Sequence, residues 1–142
     1  MNKFCKLCSI DPESHSFKRV GEKDNITIFY AKPSAAKLYK DKDKEGIITH
    51  IDNTLKANKK RWACIVDADD FDIRHATEFE AGRGIVELLI SKYYETCESI
   101  TVINPTWHVN GCIKFAELFV SPEMMKKLNV LDNRRYSILE FI

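Results

Sequence analysis

The chain has 142 residues, 44% hydrophobic and 30% charged, which suits one globular domain and excludes disordered and fibrous classes. A net charge of +1 removes the bulk attraction on which nucleic-acid binding rests, so no nucleic acid is expected as a partner. No apolar run approaches the roughly 20 residues of a membrane span, and Met1–Ile10 has no long apolar stretch of an export signal. The five cysteines are therefore expected as reduced thiols in a cytoplasmic compartment.

Residues 1–15 lack periodicity and read as an irregular lead-in, followed by a single domain over 16–142. In "SFKRVGEKDNITIFYA" two short apolar runs flank a polar turn, predicting a hairpin of Phe17–Val20 with Ile26–Ala31 and a turn over Gly21–Asn25. "YKDKDKEG" alternates in charge and reads as a solvated loop or helix start. Ile47, Ile48, Ile51 and Leu55 then fall on one helical face, and "RWACIVDA" predicts a buried strand over Trp62–Asp67. Phe79, Val86, Leu89, Ile90 and Tyr93 form the apolar face of a second helix. Its interior Gly82 and Gly84 cost stability unless another element packs close.

"SITVIN" is a further strand. A helix carrying Trp107, Val109, Ile113, Ala116 and Phe119 follows it. Ser121-Pro122-Glu123 combines a hydroxyl cap, a first-turn proline and a carboxylate at the positive end of the helix dipole, so a new helix starts there. "LNVL" is a last strand. The order β-β-α-β-α-β-α-α-β predicts an α/β fold: a mostly parallel twisted sheet of about five strands flanked by helices. In open α/β sheets ligands gather beyond the carboxyl ends of the strands, here after Asp67 and after Asn104.

Three groups of residues carry potential chemistry. "IVDADDFD" ends a strand in carboxylates that could hold Mg²⁺, and its hhhhDxD pattern resembles the first motif of haloacid-dehalogenase-type phosphatases. That resemblance implies Asp67 as nucleophile and Asp69 as general acid. Phe71 departs from the pattern, no later acidic motif follows, and the plain alternative is an acidic turn. "CKLC" with His15 offers three soft ligands where structural zinc needs four, so it reads as a pair of thiols, and neither metal nor cofactor is expected. Cys64, Cys97 and Cys112 read as buried and inert, and His108 has no acid partner beside it in the sequence.

Taken together, three blocks resemble the CRAL-TRIO family of lipid-binding domains. They are "VGEKDNITIFYA", "ACIVDADDF" and the long run from Leu88 to Leu131. In the last block Tyr94-Glu95 stands for the family's Tyr-Pro-Glu without its proline. Asn104-Pro105-Thr106-Trp107 keeps the asparagine and tryptophan, and Ser121-Pro122 and Lys126-Lys127 follow in register. The resemblance is to a compact form without the N-terminal helical subdomain. It implies a CRAL-TRIO-like fold and no enzymatic activity. It further implies a phospholipid or other hydrophobic ligand as partner, and with it contact with a membrane surface or a protein partner.

The expected pocket has Ile28, Tyr30, Ile65 and Val102 as its floor. By the resemblance, the 109–119 helix is its gate, bearing Val109, Ile113, Ala116 and Phe119, with Trp107 anchoring the helix start. The alternatives are a protein-interaction module with a filled interior and a magnesium-dependent phosphatase using Asp67 and Asp69.

Overall fold

The N-terminal hairpin is tighter than its turn residues suggest. Strand β1 (Phe17–Lys23) continues past Val20 and pairs antiparallel with β2 (Ile26–Ala31). Only Asp24 and Asn25 form the turn, both left-handed at φ 53° and 66°. Asp and Asn adopt this conformation at least cost among non-glycine residues, and a two-residue turn of this hand matches strand twist. The register shifts between Arg19 and Gly21, leaving Val20 as the extra residue of a bulge. The computed structural model describes residues 16–35, 44–71, 79–118 and 120–142. The lead-in with "CKLC" and His15, most of the "YKDKDKEG" run and Phe119 lie outside the described residues.

Three parallel crossovers follow. Helix α1 (Lys44–Ala57) leads to β3 (Arg61–Asp67), and helix α2 (Phe79–Leu88) runs into a π-helical turn, Leu89–Tyr93, before β4 (Cys97–Ile103). Helix α3 (Trp107–Ala116) and the short α4 (Pro122–Met125) lead to β5 (Leu128–Leu131). The five strands lie in chain order, β1-β2-β3-β4-β5. Parallel crossovers are right-handed, so a sheet that always grows in one direction puts every crossover on the same face. The packing agrees. Phe29, Trp62 and Cys64 meet Ile47, Ile51 and Leu55 of α1 and Ala81 of α2, while Val66, Val102, Leu128 and Val130 meet Val109, Cys112 and Ile113 of α3. We call this the helix face.

The expectation of flanking helices is thus met on one face. On the other, Ile28, Ile65 and Ile103 are covered by Tyr136, Ile138 and Phe141 of the C-terminal segment. That segment turns once as a 3₁₀ helix, Ile138–Glu140, closed by a capping box between Ser137 and Glu140. Its last residue closes on the bulge of β1. A Cβ on Gly21 would stand 3.3 Å from Ile142, so a bare glycine lets the chain end approach.

Two contacts hold α1 against α2 and the π-helical turn that follows it. A Cβ on Gly84 would stand 2.5 Å from Ile48 Cδ1, which answers the cost of a mid-helix glycine: the helices approach closely there. Beside it the Tyr93 hydroxyl donates to the Asp52 carboxylate and to the Asp52 carbonyl at 3.0 Å, with Lys92 at 3.4 Å and Lys56 at 4.0 Å. Partial burial alone would raise the Asp52 pKa, but the Tyr93 bond and the two ammonium groups outweigh it and hold the carboxyl below its ordinary value. A depressed folded-state pKa stabilises the fold above the unfolded value of about 3.9 and loses that contribution as pH falls through the folded one. Asp52→Asn should therefore melt below the wild type at pH 7 and converge toward it below about pH 4. Thermal melts across that range check this.

Candidate apolar cavity and the carboxyl edge of the sheet

Between the helix face and α1 and α2 lies an apolar cavity, partly open to solvent, with an enclosed space of roughly 170 Å³. Its floor is Ala31 of β2, Trp62, Cys64 and Val66 of β3 and Ile100 of β4, and its roof is Ile47, Ile51, Ile85 and Leu89. Ser16, Phe17 and Pro33 stand where β1 begins and β2 ends. The period-2 alternation of the strands explains the floor: Trp62, Cys64 and Val66 are every second residue and share a face. Phe17 stacks on Phe29 at 5.1 Å, and the His50 Nε2–H donates to the Phe17 carbonyl at 2.7 Å, tying α1 to the start of β1. Burial pushes the Cys64 thiol up to about 12 and the Cys97 thiol up to about 11, so both are protonated at neutral pH and neither is a nucleophile, as their sequence context suggests.

The sequence-predicted pocket residues do not converge. Ile28, Tyr30 and Ile65 belong to the face covered by the C-terminal segment. Val102, Val109 and Ile113 pack together on the opposite, helix face. Trp62, Cys64 and Val66 were legible as one strand face, but the choice of odd or even positions as a floor was not. Ala116 is half-buried and lies on the Val109 side of α3 by helical spacing.

Trp107 does not anchor the helix start. It is 77% exposed and stacks on His108 at 3.7 Å. Two positions before Val109, it sits about 200° around the helix and faces away from the sheet. The anchor is Thr106, whose Oγ1 accepts from Val109 N at 3.3 Å and donates to the Phe71 carbonyl at 2.7 Å. A hydroxyl just before an amphipathic run was the available signal. Phe115 (56%), late in α3, and Leu118 (80%), in the turn after it, are also exposed. Gly111 is exposed in the interior of α3, with nothing within 4 Å of a built Cβ. Gly111→Ala should stabilise the fold by about 0.5–1 kcal/mol, because an exposed helix interior gains propensity and meets no clash. A denaturant titration reads the gain.

The carboxyl ends of β3 and β4 hold a closed polar network. Asp67 accepts from the Tyr30 hydroxyl at 2.9 Å, Asn104 Nδ2 at 3.1 Å and Asp69 N at 3.0 Å. Burial and the Asp67 bond both raise the Tyr30 pKa, keeping it a donor. Asn104, left-handed at φ 52°, also donates to the Tyr136 carbonyl at 3.0 Å and accepts from Tyr136 N at 2.8 Å. Arg135 forms a fork on Asp69 at 2.9 and 3.3 Å and holds its carboxyl below the usual range. Asp67 and Asp69 therefore tie β2, β3, β4 and the C-terminal segment together. Among the described residues no group of three or more histidine, cysteine or acidic side chains is placed to hold a metal ion. The ligand crevice of open α/β sheets sits where strand order reverses. Here the order never reverses, and the cavity lies inside the layer instead.

Residues 22–142 match the family model of the CRAL/TRIO domain. The chain belongs to the CRAL/TRIO domain family. This is a family of lipid-binding domains, which generally bind or transfer lipids rather than catalyse. The CRAL/TRIO match spans the three blocks of sequence resemblance except the start of the hairpin, and the mostly parallel five-stranded sheet fits it. No curated protein matches the chain. Among the described residues of this CRAL/TRIO domain, no helix is long and apolar enough to cross a membrane.

Proposed function

We propose that this domain is a non-enzymatic binder of a lipid or other small hydrophobic ligand, held between the sheet and helices α1 and α2. The observation that carries the reading is the apolar cavity over Trp62, Cys64 and Val66 in a domain of a lipid-binding family. Burial of apolar ligand there supplies affinity at about 0.8 kcal/mol per methylene, less the cost of immobilising the ligand. The test is an NMR titration with apolar probes of graded size, from benzene to extracted lipids, with native mass spectrometry of gently purified protein. Probe binding that a bulky Ile51→Trp variant abolishes, at an unchanged fold by circular dichroism, supports the reading. A bare-chain mass together with no probe binding removes it.

A second reading, a protein-interaction module, is favoured by one observation: Trp107 and Phe115 of α3 and Leu118 in the turn after it are exposed apolar side chains. The two readings separate at the cavity, because the interaction module predicts that no apolar probe enters it.

A further inference from the structure

The volume and lining of the cavity restrict what it can take. An apolar cavity of about 150 Å³ in another protein stays dry and binds benzene or xenon, whereas sites for drug-sized ligands run from about 300 Å³ upward. The present pocket opens partly to solvent, and its enclosed space of roughly 170 Å³ is close in size to the former. Its described lining holds no charged side chain, so a carboxylate or phosphate inside would lose its water without gaining a partner. Ser16 is the one hydroxyl-bearing residue among the described lining, at the end where β1 begins. Its Oγ accepts from Lys32 N at 3.2 Å, which leaves its own proton to donate.

The walls have little slack. The α1–α2 approach at Gly84 is already at contact, the Asp52–Tyr93 bond locks the far end, and Phe17 is stacked on Phe29. We propose that the cavity is a site for one small neutral molecule, on the order of six to eight heavy atoms with at most one hydroxyl or carbonyl oxygen placed at Ser16, and that it excludes two-chain phospholipids. This rests on the reading of the cavity as the binding site and narrows its ligand class.

The experiment follows the methyl resonances of Ile47, Ile51 and Ile85 by NMR. The probes are benzene, n-alkanols of increasing length, hexanoate and phosphatidylcholine vesicles. Benzene and 1-hexanol are expected to shift these methyls in a saturable way. Hexanoate should bind about tenfold more weakly than hexanol, a difference of about 1.4 kcal/mol, dodecanol should bind no better than hexanol, and vesicles should leave the methyls unmoved. Ser16→Ala should weaken hexanol a few-fold and leave benzene unchanged.

Dodecanol binding that exceeds hexanol, or phosphatidylcholine drawn from the vesicles, overturns the size limit and leaves the proposed function standing. Equal affinity for hexanoate and hexanol overturns the neutrality requirement. Equal loss of hexanol and benzene in Ser16→Ala overturns the placement of the ligand oxygen. If no probe of any size moves the methyls, the inference and the reading beneath it fall together.

Discussion

Trp62→Ala should destabilise the fold by about 3–5 kcal/mol, the range for truncating a buried large aromatic. Trp62 is 2% exposed and lies between Phe29 and the roof of α1 and α2. Its ring meets Phe29 edge-on at 6.4 Å, and its Nε1–H donates to Thr96 Oγ1 at 3.2 Å. Alanine would join the indole volume to the neighbouring cavity, so the void would be larger than the deletion alone. Trp62→Phe should lose clearly less, because the ring contact survives and the exposed Thr96 hydroxyl can turn to water. Urea titrations of the two variants check the order. Equal losses would show that the indole hydrogen bond, and not the packing, carries the stability.

Asp67→Ala should cost about 2–4 kcal/mol, since it strands partly buried donors that now share one carboxylate. The Tyr30 hydroxyl and Asp69 N lose their partners, while Asn104 keeps the Tyr136 carbonyl. Asp67→Asn keeps one acceptor oxygen but turns an amide N–H₂ toward a donor, so its loss should be intermediate. Tyr30→Phe removes only one bond and should cost about 1 kcal/mol. A double-mutant cycle between Asp67→Ala and Tyr30→Phe should show a coupling on the order of 0.5 kcal/mol or more, because the two side chains are in direct contact. Additive losses would sink the network account.

The elements were legible because their patterns are local. Ile47, Ile51 and Leu55 repeat at helical spacing, and the runs ending in Asp67 and Ile103 form buried strands close to their expected limits. Ser121 caps α4 as its sequence demands, accepting from Met124 N at 3.3 Å. What was not legible depends on non-local geometry. The face of the sheet that receives the helices follows from strand order and handedness, and no residue pattern states strand order. Hence the sequence pattern groups Ile28, Tyr30 and Ile65 with Val109 and Ile113, although the sheet stands between them.

The partners of Asp67 are hidden in the sequence for the same reason. Its main partners, Tyr30 and Asn104, are both 37 positions away, and Arg135 reaches Asp69 from 66 positions away. In sequence, carboxylates at a strand end look like chemistry; in space they are fastening points. Lys127 makes the same point in reverse. One of a basic pair in sequence, it caps the end of the π-helical turn, donating to the Tyr94 and Cys97 carbonyls at 2.7 and 2.9 Å while lying over the Tyr94 ring.

The chain-order sheet also bears on how the molecule can be made. Each strand pairs with the one synthesised just before it, so no strand has to wait for a distant partner to join the sheet. A chain leaving the ribosome could zip from the hairpin outward, always presenting one unpaired edge to the next arrival. The helix face can be covered in the same sequence. The opposite face stays bare until Tyr136, Ile138 and Phe141 emerge, so synthesis should pass through a late stage with an assembled sheet whose Ile28, Ile65 and Ile103 still face water. That half-clad stage, with its exposed isoleucines, is where a chaperone would have most to hold.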